Sequence, residues 1–193
     1  MEPHPFHKAV GRLIKKHFAP DYTVLVDRAC DPEGKRISLF NRTSDTTFRY
    51  CDVDILIAAK EEARVIIEIE ESNFKPNQVF GKFFASAFSD QFMVGGRSKD
   101  RYRPIVKLVL FVQVLDLSKV KEAKSVKPGQ WENAKEQIQS FLKIGMGQIT
   151  EYVLFRGEQK EFESGDGESK KMIEVIKGFI SKIPEGNLVH FSV

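Results

Sequence analysis

The sequence has little cysteine and no long hydrophobic run, and both shortages narrow the class of protein. The chain of 193 residues has two cysteines, Cys30 and Cys51, which are too few for a disulfide framework. No apolar run approaches the roughly 20 residues that a transmembrane helix needs. The N-terminal "MEPHPFHKAV" also lacks the layout of a signal peptide. We therefore expect a reduced, cytoplasmic protein that does not enter a membrane.

Motifs of several common enzyme classes are missing as well. The sequence contains no phosphate-binding P-loop, no dinucleotide fingerprint, no G-x-S-x-G elbow and no internal repeat. Hydrophobic residues make up 41% and charged residues 30%, which is typical of a globular protein. We predict a single domain over residues 1–193, with a core over about 5–155 and a C-terminal helix and tail over 156–193.

The charges are distributed unevenly, although the net charge is only +3. Residues 51–72 hold seven acidic and two basic side chains, whereas residues 95–107 hold five basic and one acidic. An acidic centre flanked by basic segments suits a metal site that handles a polyanion. The alternative is a patchy, solvated surface without a metal site, which would give the same counts of acidic and basic residues.

Hydrophobic periodicity predicts a chain that alternates between helices and strands. The predicted helices cover residues 6–18, 76–92, 130–143 and 168–182. The predicted strands cover 21–28, "RISLF", "YCDVDILIA", "RVIIEIEES", 104–115 and 152–155. Strand 104–115 is almost entirely apolar, as expected when both faces of a sheet are covered. This order predicts an α/β fold with a central mixed β-sheet flanked by helices.

The two acidic strands are predicted to pair as an antiparallel hairpin, because only a short turn separates them. If the turn centres on Glu61, Asp54 faces Glu68 and Asp52 faces Glu70. The apolar partners are then Ile55 with Ile67, Leu56 with Ile66, and Ile57 with Val65. A shift of one residue would set isoleucines against glutamates. A slip of two residues stays open, since "KEE" lacks the glycine that a tight loop prefers.

The acids of this hairpin gather at one end of a face that also carries Leu56 and Ile66. A half-exposed sheet explains the alternation alone, but the two apolar residues indicate that the face is covered. Facing carboxyl groups there, with Cβ atoms about 5 Å apart, either raise their pKa values or bind a hard cation. We predict that Asp54 and Glu68 hold Mg²⁺ (or Mn²⁺), with a solvated acidic face as the alternative.

These residues resemble the signature of the PD-(D/E)xK nucleases, the restriction-endonuclease-like superfamily. That signature places an acid at the start of one strand and acid-x-lysine on the next, followed by a helix. Here "VDILI" supplies Asp54 and "VIIEIEES" supplies Glu68, and the similarity covers about residues 48–115. The resemblance implies a restriction-endonuclease-like core and a metal-dependent endodeoxyribonuclease that acts on DNA.

The chain departs from the signature where the family has its lysine, because Glu70 stands there. The resemblance implies that this lysine orients the attacking water and offsets charge on the scissile phosphate. Glu70 can serve as a general base or as a further metal ligand. Lys82 is the candidate for a relocated lysine, and it shares one side of the next helix with Gln78. The alternatives are a solvent-facing Lys82 and, as a weaker substitute, Lys75 in the turn.

Contacts with nucleic acid are expected from a basic stripe on helix 6–18 and from the segment 94–103, "VGGRSKDRYR". The residues expected to make them are Lys8, Arg12, Lys15, Lys16, Arg97, Lys99, Arg101 and Arg103. The alternative hypothesis for the segment 94–103 is a disordered connector that does not contact DNA. We expect surface or packing roles for His4, His7 and His17, since no acidic or cysteine partner is evident, and no metal ligation by Glu71, which points away from Glu68.

The sequence thus predicts a Mg²⁺-dependent nuclease that cleaves phosphodiester bonds of DNA, in restriction or repair. The alternative is a nuclease-like fold that binds nucleic acid or a protein partner without cleaving, and the missing lysine motivates it. A third hypothesis, an unrelated α/β protein with a solvated acidic edge, predicts no response to Mg²⁺. A homodimer would suit cleavage of both strands, although nothing in the sequence indicates one.

Overall fold

Helices and strands alternate along the chain much as the hydrophobic pattern predicts. The computed structural model describes residues 4–41, 49–71, 76–95, 102–118 and 127–183. The helices are α1 (Pro5–Phe18), α2 (Pro76–Ala87), α3 (Lys127–Leu142), α4 (Gln159–Ser164) and α5 (Gly167–Ser181). The strands are β1 (Thr23–Val26), β2 (Ile37–Phe40), β3 (Arg49–Val53), β4 (Ile55–Ala59), β5 (Glu62–Glu70), β6 (Gln91–Val94), β7 (Tyr102–Pro104), β8 (Val109–Asp116) and β9 (Ile149–Gly157).

The strands form two sheets. The larger sheet has the order β1-β4-β5-β8-β9, in which β4 runs antiparallel to β1 and β5, whereas β8 runs parallel to β5 and β9. The smaller sheet, β3-β2-β6-β7, is antiparallel throughout. The predicted α/β class with a central mixed sheet flanked by helices is therefore confirmed. Within the ranges described above, no helix is both long enough and apolar enough to cross a membrane.

The larger sheet is buried on both faces. On one face Val65 and Ile67 belong to a core that includes residues of α1 and α5. On the other face Ile66 belongs to a core that includes residues of α2, α3 and the smaller sheet. Every residue of β8 is consequently buried, as its apolar sequence predicts. The C-terminal helices α4 and α5 add residues such as Phe162 and Met172 to the first core.

The predicted hairpin is present between β4 and β5, and its register is confirmed. Ile55 pairs with Ile67, Leu56 with Ile66 and Ile57 with Val65. The continuous strand predicted for "YCDVDILIA" is wrong, because the chain bends at Asp54, leaves the smaller sheet at Val53 and enters the larger sheet at Ile55. Asp52 therefore faces Ser38 on β2, and the predicted pairing of Asp52 with Glu70 is wrong.

Several other boundaries differ from the predictions. α2 ends at Ala87 instead of extending to residue 92, and Ser89 just beyond it donates a hydrogen bond from Oγ to the carbonyl of Ala85 (2.8 Å). Phe92 lies in β6, which pairs with β2. The strand predicted over 104–115 begins at Val109, after Leu108, whose φ is 81°. The sequence does not predict α4, β6 and β7, since each is too short to show a periodic pattern.

Gly147 sets how closely the end of α2 approaches the chain before β9. Its φ is +84°, and a Cβ at this position would lie 2.4 Å from the carbonyl oxygen of Ala87. We expect Gly147→Ala to lower the free energy of unfolding by about 3 kcal/mol, because strain and a backbone clash add. Gly145→Ala is the control, since its φ is +73° but no described atom lies within 4 Å, and it should cost about 1 kcal/mol. Urea unfolding measures both, and equal costs would contradict the close approach.

Candidate functional site

Three acids and one lysine converge at the end of β5. Asp54 occupies the bend between β3 and β4. Glu68 and Glu70 lie at the end of β5, two residues apart, and therefore share one face of the strand. Glu68 is 1% exposed, so its carboxyl group is almost completely removed from water. Lys82 extends toward these acids from the middle of α2. The structure therefore brings together Asp54, Glu68, Glu70 and Lys82, four residues that the sequence indicates as a site.

Lys82 contacts both glutamates of β5. Its Nζ donates a hydrogen bond to Oε2 of Glu68 at 2.9 Å and lies 2.9 Å from Oε1 of Glu70. A solvent-facing Lys82, the alternative in the sequence analysis, is therefore wrong. Gln78, one turn earlier on α2, is exposed.

Asp54 is held in place by the backbone of β5. Its Oδ2 accepts a hydrogen bond of 2.7 Å from the backbone N–H of Ile69, the residue between the two glutamates. The backbone carbonyl of Asp54 accepts a further bond of 2.8 Å from the N–H of Asp27, at the end of β1. Both bonds follow from the bend at Asp54, which directs its side chain toward β5. Asp54 thus lies close to Glu68, as predicted, although it stands in the bend before β4 and not at a paired position of the hairpin.

The charges of the site are unbalanced. Burial, and then the charge of Asp54, raise the pKa of Glu68 well above its ordinary value, and Lys82 only partly opposes them. Burial lowers the pKa of Lys82, but the charges of Glu68, Asp54 and Glu70 outweigh it, so the net direction is upward. One lysine thus faces three carboxyl groups. One lysine can offset the charge of only one of them, so removing the other two carboxylates from water costs free energy.

The donor set suits a hard divalent cation. Oε1 of Glu68 is buried and has no hydrogen-bond partner among the described residues. A buried carboxylate oxygen without a donor costs about 1–3 kcal/mol unless a cation or water satisfies it. Asp54, Glu68 and Glu70 offer only oxygen ligands, which Mg²⁺ and Mn²⁺ prefer. These residues therefore fit such an ion.

A cleft of about 590 Å³ opens beside Asp54. Its described lining comprises Asp27, Arg28, Lys35, Arg36, Ile37, Asp52, Val53, Asp54 and Gly95. Three of these residues are exposed cations, namely Arg28, Lys35 and Arg36. The sequence does not indicate these three cations, because Arg28 and Arg36 stand at the ends of two short predicted strands and Lys35 in the turn between them, so no periodic pattern places them on one face. Their proximity to Asp54 arises from the folding of the β1–β2 connection against the smaller sheet.

The cations predicted to contact nucleic acid lie elsewhere, as far as they are described. Arg12 and Lys16 line a separate groove with Phe162 of α4, and Lys15 forms an ion pair with Asp31 at 2.5 Å. Lys8 is half-buried on α1. Arg103 on β7 forms an ion pair with Glu61, at the opposite end of β5 from Glu68. Arg97, Lys99 and Arg101 lie outside the described residues, although Gly95 just before them lines the cleft.

His7 and Glu71 form a contact that the sequence analysis missed. Nδ1 of His7 lies 2.7 Å from Oε2 of Glu71, and Nε2 of the same ring lies 3.9 Å from Oδ2 of Asp54. His4 approaches the same oxygen of Glu71 at 3.8 Å. The absence of an acidic partner for these histidines, which we inferred from the sequence, is therefore wrong. The two elements are separated by 64 residues, so no local pattern could reveal the contact.

The site combines the buried carboxyl group of Glu68, the partly buried ones of Asp54 and Glu70, a lysine that partly neutralises them, and a cleft with cationic walls. Such an arrangement can hold a divalent ion and place an anionic substrate beside it. When the chain is compared with known proteins, no family model matches and no curated protein matches.

Proposed function

We propose that the protein is a Mg²⁺- or Mn²⁺-dependent nuclease that cleaves phosphodiester bonds of DNA and has a restriction-endonuclease-like core. The observation that carries the proposal is the position of Lys82 Nζ, at 2.9 Å from both Glu68 and Glu70. A lysine on the helix after β5 thus lies beside Glu70, the position at which the family has its lysine, and this contact supports the proposal. The mixed five-stranded sheet with helices on both faces supports the same core.

Each residue of the site has a role in this proposal. Asp54 and Glu68, with Glu70 as a further ligand, would hold the ion, which when bound polarises a phosphoryl oxygen and lowers the pKa of a water. Glu70 positions the attacking water or accepts its proton. Lys82 offsets the negative charge that develops on the scissile phosphate, and Gln78 lies one turn earlier on the same side of α2.

The cleft beside Asp54 is where the DNA backbone would lie. Arg28 and Lys35 are exposed along its wall and can contact phosphate oxygens without reading the base sequence. Arg36 also lines the cleft, but it forms an ion pair with Asp52, in which Nε of Arg36 lies 3.5 Å from Oδ2 of Asp52. The basic stripe of α1, which we expected to bind DNA, would then contact the substrate farther from the reacting phosphate.

A second function has one observation in its favour. Lys82 already neutralises part of the charge of Glu68 and Glu70, so a protein that binds nucleic acid or a protein partner without cleaving would be stable with this site. Under that alternative, the protein binds DNA in a salt-dependent way but does not turn it over.

The proposal is tested by nicking of supercoiled plasmid with Mg²⁺ or Mn²⁺, with EDTA as the blank. Asp54→Asn keeps one oxygen ligand but loses the charge, so we expect it to need at least about tenfold more Mg²⁺ for half-maximal nicking. Asp21→Asn is the control, because Asp21 is exposed just after α1 and is not among the described lining of the cleft, and it should behave as the wild type. Salt-sensitive DNA binding without any nicking by the wild type would favour the second function, and equal Mg²⁺ requirements of the two variants would exclude the proposed site.

A further inference from the structure

His4, His7 and Glu71 form a cluster of potential metal ligands separate from the carboxylates of β5. One ligand atom of each residue lies within 4.8 Å of the other two. His4 precedes α1 and His7 lies in its first turn, three residues later, so the two rings stand on the same side of the helix start. Their ring centroids are 5.4 Å apart in an edge-to-face arrangement. Glu71 follows β5 and completes the set from another part of the fold.

The cluster is partly enclosed and partly open. The side chains of His7 and Glu71 are 10% and 12% exposed, whereas that of His4 is 58% exposed. The enclosed pair fixes two ligand positions, and the open side at His4 gives an ion a path of entry and room for water ligands. The atoms already stand close to the spacing required, since ligands of a tetrahedral ion with bonds of about 2.1 Å are about 3.4 Å apart.

The chemistry of these ligands differs from that of the β5 site. Two imidazole nitrogens and one carboxylate favour Zn²⁺ and neighbouring first-row ions, whereas Mg²⁺ prefers oxygen alone. Nδ1 of His7 and Oε2 of Glu71 now share a hydrogen bond of 2.7 Å, and an ion bound there would replace the shared proton. With the ion on Nδ1, the neutral ring carries its proton on Nε2, which faces Oδ2 of Asp54 at 3.9 Å.

We propose that His4, His7 and Glu71 bind one transition-metal ion of the Zn²⁺ class, at a site distinct from the carboxylates of β5. Three protein ligands leave the remaining coordination position to water, and the open side of His4 faces solvent. Nε2 of His7 lies 3.9 Å from Oδ2 of Asp54, which is too far for a hydrogen bond, so the two sites are neighbours that share no ligand.

The test measures Zn²⁺ affinity by competition with a chromophoric chelator, on protein freed of any affinity tag. We expect one ion per chain, bound at least about tenfold more weakly by His4→Gln and about 100-fold more weakly by His7→Asn, because each loses a nitrogen ligand. His4 is exposed, so His4→Gln should fold even if His7→Asn does not. His17→Gln is the matched control, since His17 lies in the last turn of the same helix. Co²⁺ substitution provides a second readout, as visible absorption bands that weaken in His4→Gln and persist in His17→Gln.

A further variant separates this proposal from the proposed nuclease. Glu68→Gln should retain Zn²⁺ binding within about threefold, because Glu68 supplies no ligand to the cluster. Loss of Zn²⁺ binding in Glu68→Gln, with no change in His4→Gln, would place the ion among the carboxylates and overturn the inference. Equal affinities of wild type, His4→Gln and His17→Gln would overturn it as well. None of these outcomes depends on whether the protein cleaves DNA.

Discussion

Glu68→Gln is expected to raise the melting temperature of the metal-free protein and, at the same time, to abolish Mg²⁺-dependent nicking. Both effects follow from the burial of one carboxyl group, which is 1% exposed and has an oxygen without a hydrogen-bond donor among the described residues. A glutamine of the same shape removes the charge and keeps the packing. The same carboxyl group would thus destabilise the metal-free protein and be required for cleavage.

The direction of the stability change depends on pH. The pKa of Glu68 is raised in the folded protein, by burial first and then by Asp54. Such a group binds its proton more tightly in the folded state, so its contribution to stability is fully present below the ordinary glutamate pKa of 4.5 and is lost as the pH rises through the folded value. At about pH 8, Glu68→Gln should therefore gain about 2 kcal/mol, or roughly 4–8 °C in Tm. Near pH 4 the gain should disappear.

Thermal unfolding in EDTA at several pH values checks the stability gain, and plasmid nicking checks the activity. We expect nicking to fall at least about 1000-fold, since several kcal/mol of charge stabilisation is lost with the metal ligand. Glu174→Gln is the control, because Glu174 is exposed on α5, away from β5. It should change stability by less than about 1 kcal/mol and leave nicking intact. A Glu68→Gln protein that is less stable than the wild type at pH 8 would show that the buried charge is compensated.

Lys82→Met is expected to have the opposite effect on stability and the same effect on nicking. It leaves Glu68 buried without its only described hydrogen-bond donor, which should cost about 3 kcal/mol at pH 8. Without Lys82 the pKa of Glu68 rises further, so the penalty should grow as the pH increases above 4.5 and become small below it. Nicking should fall about 100–1000-fold, as when one group that stabilises transition-state charge is removed.

The double variant Lys82→Met/Glu68→Gln separates folding from chemistry. It should recover most of the stability lost in Lys82→Met, because the uncompensated charge is gone, while nicking stays absent. Urea unfolding at pH 8 and pH 5 supplies the free energies. Lys135→Met on α3 is the control, since Lys135 lies 3.5 Å from Glu132 in a partly exposed pair and should cost less than about 1 kcal/mol. Additive effects of the two site substitutions would mean that Lys82 and Glu68 are not coupled.

The hairpin and its register follow from the sequence because side-chain alternation leaves little choice. A shift of one residue would have buried the glutamates of β5 among isoleucines, so Ile55 had to face Ile67. The bend at Asp54 does not follow, because residues 50–58 alternate well enough for one strand. The bend is decided by the second sheet, in which Ile37 pairs with Val53, and no local pattern contains that contact.

The residues of the site also fall into those that the sequence could indicate and those that it could not. Asp54 and Glu68 are close in sequence and share a hairpin, so their spacing could indicate them, whereas Glu70 and Lys82 are indicated by the resemblance to the nuclease signature. The cationic wall formed by Arg28 and Lys35 and the pairing of His7 with Glu71 depend on contacts between distant elements. Short turns and isolated histidines carry no periodicity, and only the packing of α1 and β1 against the hairpin brings them to the site.

The bend at Asp54 also has a mechanical consequence. The two sheets are covalently joined there, and the cleft lies between residues of the smaller sheet, such as Ile37, and the end of β1 at Asp27. If one sheet rotated against the other about this bend, residues at the mouth of the cleft would move farthest and residues at the bend would move least. Asp54 stands at that pivot and is tied to Ile69 by its side chain. If the proposed function holds, we expect such a rotation to fit the cleft to a duplex or a single strand while the distance between Asp54 and Glu68 is preserved.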